Sequence, residues 1–115
     1  MSYDLAVWDG DRPLDDDRAC LTYDELYERY LASDGPYEPE TASITAYLAA
    51  FREQYPNDEQ LIAEKASPRV DSEVSGPIVY LTMSYRHAED VADHAADLAR
   101  RHGLVCFDPQ IEQLL

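Results

Sequence analysis

Apolar residues fall into two patterns along this chain. Short continuous runs bounded by Gly, Pro and Asp predict strands. The first spans Tyr3 to Trp8 and is stopped by Asp9-Gly10-Asp11 and Pro13. A second follows Gly76, from Pro77 to Met83, and reads as a central strand. A third, Leu104 to Phe107, is halted by Asp108-Pro109, and a short edge strand is predicted within Val70 to Val74.

Apolar positions three and four apart predict helices. Ile44, Tyr47, Leu48, Phe51 and Tyr55 form one stripe, started by Thr41 or Ser43 and ended by Pro56-Asn57. Ala88 to His102 places Val91, Ala95, Leu98 and the alanines at 88, 92 and 99 on one face, with Glu89, Asp93, Asp97 and Arg100 on the other. Gly103 suits the left-handed residue that ends such a helix. Thr22-Tyr23-Asp24-Glu25 has the form of a capping box. A first helix is therefore expected from Thr22 to the turn cluster Ser33-Asp34-Gly35-Pro36, with Leu26, Tyr27, Tyr30 and Leu31 inward and residues 9–20 as a loop. Leu61 and Ile62 belong to a short helix or turn.

With 115 residues, these elements make one domain. The expected architecture is α+β and α/β-plait-like. It has about four mostly antiparallel strands with three helices packed largely on one face. Residues 77 to 107 form a strand–helix–strand unit, and pairing of the first and last strands would bring Asp9 and Asp108 toward one rim.

Charge changes the picture most. Asp and Glu number 24 against nine Lys and Arg, a formal net charge of −15, and Lys65 is the lone lysine. A field of that sign repels nucleic acid and anionic membrane and steers basic partners inward. Residues 1–40 hold half of the acids and three arginines. No stretch approaches the ~20 apolar residues of a membrane helix. Cys20 and Cys106 lie far apart without a CxxC pair, so cytoplasmic residence is the expectation.

Candidate chemistry is sparse. Asp9 and Asp11 directly follow the first strand, as the paired aspartates of haloacid-dehalogenase-type phosphatases do around Mg²⁺. However, Pro13 stands where that family has Thr or Val, the chain is short for its usual core, and the needed basic residue has no clear candidate. A turn using Asp and Gly for their backbone preferences accounts for Asp-Gly-Asp better. The aspartates from 9 to 17 lack the spacing of a calcium loop. His94 sits between Asp90 and Asp97 on the last helix, and with His87 and His102 it offers too few converging ligands for a metal. Ser75, Ser84 and Cys20 lack an activating neighbour. No cofactor is expected.

Nine tyrosines accompany the acids. Tyr27, Tyr30, Tyr47, Tyr55 and Tyr80 are placed to pack, whereas Tyr23, Tyr37 and Tyr85 lie in loops or at helix starts. Aromatic anchors ringed by carboxylates suit a basic partner.

The opening Ser2-Tyr3-Asp4-Leu5-Ala6-Val7-Trp8 and the closing Gly103-Leu104-Val105-Cys106-Phe107-Asp108-Pro109-Gln110 resemble the ends of small bacterial proteins, some of them similar to immunity proteins of toxin systems. The resemblance implies a stand-alone cytoplasmic domain and supplies no catalytic residues. The resulting expectation is a non-enzymatic acidic protein, monomeric or weakly dimeric, that neutralises or regulates a basic protein such as a toxin. Its contact surface would comprise Asp9, Asp11, Asp15, Asp16, Asp17, Tyr23, Asp24 and Glu28. The alternatives are a small metal-assisted hydrolase using Asp9 and Asp11 with help from His94, and a DNA mimic. Acidity as a general adaptation to salt would imply no partner.

Overall fold

The computed structural model describes residues 2–32 and 38–115. The chain runs β1 (Ser2–Trp8), α1 (Asp16–Leu26) continued by a π-helical turn (Tyr27–Leu31), α2 (Ala42–Gln54) and α3 (Glu59–Lys65). It goes on through β2 (Val70–Ser75), β3 (Ile78–Ser84), a 3₁₀ turn (Tyr85–His87), α4 (Ala88–Arg101), β4 (Val105–Asp108) and β5 (Gln113–Leu114). The five strands form one sheet in the order β2-β3-β1-β4-β5, with every neighbouring pair antiparallel.

β1 hydrogen-bonds to both β3 and β4, so those two strands point the same way with β1 inserted between them. The strand–helix–strand unit expected over 77–107 is therefore split. β1 and β2 are likewise parallel to each other around β3.

Side chains alternate across these strands, and both sets are apolar. Leu5, Val7, Val79, Leu81 and Cys106 point into one core with α2 and α4. Ala6, Trp8, Ile78, Val105 and Phe107 point into a second, covered by α1 and its π turn through Ala19, Tyr23, Leu26 and Tyr30. A sheet apolar on both faces must be covered on both. This corrects the expectation of three helices largely on one face: there are four helices and five strands among the described residues, and α1 lies opposite α2 and α4. The uninterrupted apolar run of β3 reflects that double burial.

The first helix also starts earlier than the capping box implied. Asp15 is extended (φ −153°, ψ 175°), and its carboxylate accepts the Arg18 N–H at 2.8 Å, which makes it the N-cap. Asp16 and Asp17 fill the first turn, where negative charge meets the positive end of the helix dipole. Two caps competed for one helix, and Thr22 ends up inside it. The Ser33-Asp34-Gly35-Pro36 turn and Tyr37 lie outside the described residues.

α2 and α4 follow their sequence patterns. Thr41 caps α2, Ile44, Tyr47, Phe51 and Tyr55 are buried, and Leu48 is half-buried. Small residues on α4, among them Ala95, Ala96 and Ala99, let that helix lie close to the sheet. The Tyr47 hydroxyl donates to the Ala95 carbonyl at 3.0 Å and ties the two helices together. Gly103 ends α4 with φ +68°.

Candidate functional site

The outer surface of α1 and its π turn carries three of the seven carboxylates that the sequence singles out, Asp17, Asp24 and Glu28. At 100° per residue, Asp17, Leu21, Asp24 and Glu28 fall within about 60° of helical arc. That arc is opposite Ala19, Tyr23 and Leu26, which face the sheet. Leu21 is 70% exposed, and Leu14, just before the N-cap, is 83% exposed. Asp11, Asp17, Asp24 and Glu28 are exposed and make no hydrogen bond or ion pair among the described residues. Leu14 and Leu21 are thus exposed in a segment rich in carboxylates that make no ion pair.

The other expected contact residues have structural employment. Asp9 accepts the Thr41 hydroxyl at 2.9 Å, and its N–H donates to the Pro77 carbonyl at 2.8 Å. Asp15 caps α1. Asp16 accepts the Leu114 N–H at 3.0 Å and so ties α1 to β5. Tyr23 is half-buried in α1 rather than at its start, with its ring 5.3 Å from Phe107 and 5.8 Å from Tyr27. Burial is the first cause of its raised pKa, and it remains a neutral phenol at ordinary pH. Leu14 and Leu21 carry a weak signal in the sequence: each is an apolar residue among acids, and Leu21 is out of phase with the inward stripe of α1.

Asp9 and Asp108 do not share a rim. Trp8 is opposite Val105 and Ala6 opposite Phe107, so the antiparallel register carries the two aspartates to opposite ends of the strand pair. Asp108 is 2% exposed. One of its carboxylate oxygens accepts the Tyr3 hydroxyl. The other accepts the Gln110 backbone N–H at 3.0 Å, the Gln110 side-chain amide at 2.6 Å and the Ile111 N–H at 3.4 Å. The Gln110 amide also pairs with both backbone groups of Asp4, at 2.6 and 2.7 Å, extending the ladder beside β1. Asp108-Pro109-Gln110 thus locks the chain where the last long strand stops.

The structure does not assemble the hydrolase set. Asp9 contacts Thr41 at the start of α2, whereas His94 hydrogen-bonds to Tyr55 at its end. The 13 residues of α2 separate those points by about 20 Å. Among the described residues no three His, Cys, Asp or Glu side chains are grouped to hold a metal ion. Cys20 donates its thiol to Glu112 at 3.2 Å, and burial followed by that contact pushes its pKa up to about 11, which leaves it a poor nucleophile at neutral pH. No helix among the described residues is long and apolar enough to cross a membrane.

The fold and surface define an α+β protein with both sheet faces covered and an acidic, leucine-bearing outer helix. Compared with family models, curated proteins and solved structures, the chain gives no match.

Proposed function

We propose that this chain is a non-enzymatic binding protein that neutralises or regulates a basic protein, docking it on the outer face of α1 and the loop from Asp9 to Asp17. The observation that supports this reading is the exposure of Leu14 and Leu21 among Asp11, Asp17, Asp24 and Glu28. Interfaces gain most of their energy from a few side chains that leave water completely, while surrounding charges speed and orient encounter.

The partner's chemistry follows from the surface: an apolar pocket or ridge rimmed by arginine or lysine. Carboxylates of α1 would steer it, and steering must weaken as ionic strength rises. The test is affinity capture from the source cell with the wild-type chain and with Leu14→Ser/Leu21→Ser, followed by binding measurements on the purified captured protein. The expected partner is basic, binds more weakly in salt, and loses tenfold or more in affinity to the double variant. Recovery of no basic protein, or of one that binds both forms equally, overturns the reading.

A further inference from the structure

On the other side of the sheet, away from α1, a cleft of about 380 Å³ opens between the start of β1, the 3₁₀ turn and the first two turns of α4. That volume is in the range of small-molecule sites. Ala88 and Ala92, one helical turn apart, leave the space unfilled, and Leu115 closes part of the wall. Tyr3 and Tyr85 stand edge to face with ring centroids 5.5 Å apart. Glu89, Asp93 and Asp108 supply the charge, and no basic side chain is among the described lining residues; Arg12 donates to the Leu115 carbonyl at 3.3 Å without joining that lining.

These parts differ in their freedom. Asp108 has both oxygens occupied, and it fixes Tyr3. Tyr3 stays a neutral phenol, its pKa pushed up to about 12 by burial first and then by Asp108. Tyr85 is 51% exposed. Glu89 and Asp93 are exposed and make no ion pair or hydrogen bond among the described residues. The cleft therefore presents aromatic rings, an apolar floor and two uncommitted carboxylates.

We propose that this cleft binds a small organic cation, an ammonium or guanidinium group on an apolar stem. The stem covers Ala88, Ala92 and Leu115, the rings of Tyr3 and Tyr85 face the cation, and Glu89 with Asp93 neutralises it. A bare metal ion is a poor fit, because alanine and tyrosine rings are not ligands and Asp108 is already saturated. The partial positive charge at the start of α4 opposes a cation, and Glu89 and Asp90 in that turn offset it. This site stands apart from the α1 surface and does not depend on it.

The test is amide NMR titration of the whole chain with 2-phenylethylamine and agmatine, using uncharged 2-phenylethanol as the control. Saturable shifts at Tyr85, Ala88, Glu89 and Ala92 are expected for the cations. The alcohol should bind at least tenfold more weakly, and Glu89→Gln/Asp93→Asn should weaken the cations at least tenfold while lowering the melting temperature by no more than the few degrees that loss of Glu89 from the first turn of α4 implies. Equal binding of the alcohol, unaltered cation affinity in the double variant, or shifts confined to the acidic face of α1 would each overturn the proposal.

Discussion

Gly76 offers the sharpest test of the second sheet face. It sits in the turn between β2 and β3 with φ +54°, and a Cβ built there would lie 2.8 and 2.9 Å from two ring carbons of Tyr30. Its N–H donates to the Glu38 carbonyl and its carbonyl accepts the Thr41 N–H, both at 3.0 Å, so the turn cannot shift without cost. Gly76→Ala places a side chain in left-handed backbone, for about 1–2 kcal/mol. It also forces the methyl against an aromatic ring, for about 1–3 kcal/mol more. The expected loss is about 2–5 kcal/mol, or roughly 8–20 °C in melting temperature at about 4 °C per kcal/mol. Urea unfolding of the four members of a cycle with Tyr30→Ala separates the two contributions. Without the ring, Gly76→Ala should cost only the backbone share. If its full cost persists in the Tyr30→Ala background, the π turn does not sit over Gly76. A loss under about 0.5 kcal/mol in the wild-type background would refute the left-handed turn itself.

The two competing starts of α1 are separable by substitution. Asp15→Ala should cost about 0.5–2 kcal/mol in urea unfolding, while Thr22→Ala should change stability by less than about 0.5 kcal/mol; the reverse ranking would restore the capping box. Alkaline pH should destabilise the fold through Cys106. Burial first, then the charge of Asp108, raises its pKa from 9.0 to about 12. The folded chain keeps this proton where the unfolded chain has released it. Its contribution to stability is thus intact below pH 9 and lost progressively toward about pH 12. Cys106→Ala should flatten that decline in unfolding free energy, and an unchanged slope would exclude the thiol as its source.

Strands and the two long helices were legible because local pattern and tertiary burial agree in them. Thr41, the stripe from Ile44 to Tyr55 and Gly103 each do what their sequence context predicts. The edge strand at 70 is present as β2, and Leu61 and Ile62 lie in α3. The first helix misled because capping is local: Asp15 and Thr22 each satisfy a cap rule, and only packing decides between them. Ala19 is fully buried against Trp8's face of the sheet, which draws the turn before Thr22 into the helix. The layer count failed for a related reason. Continuous apolar runs in β1 and β3 already implied two buried faces, yet the covering helix has an aromatic and half-buried inner surface, a weaker signal than the aliphatic stripe of α2. β5 has two residues and pairs only through Phe107 and Asp108, below what periodicity can register.

The acidity of the α1 region was legible because charge is additive along a sequence, whereas the structural employment of each acid was not. Of the acids expected to bind, Asp9, Asp15 and Asp16 hold the fold together, so their removal would weaken binding and stability alike. Asp11, Asp24 and Glu28 are free of that ambiguity, whereas Asp17 also favours the first turn of α1. Their presence alone does not discriminate a docking surface from a general excess of acid, since both put carboxylates in water. Substitutions at Leu14, just before α1, and Leu21, on it, discriminate the two readings, because a chain whose acids serve only hydration in salt loses no binding when these leucines are replaced. A docking surface needs both, because carboxylates set the rate and orientation of encounter while the apolar side chains slow dissociation. Charge reversal at Asp17 and Asp24 should therefore act mainly on the association rate and its salt dependence, and Leu21→Ser mainly on the dissociation rate. Equal effects of both changes on one rate constant would argue against a divided surface of this kind.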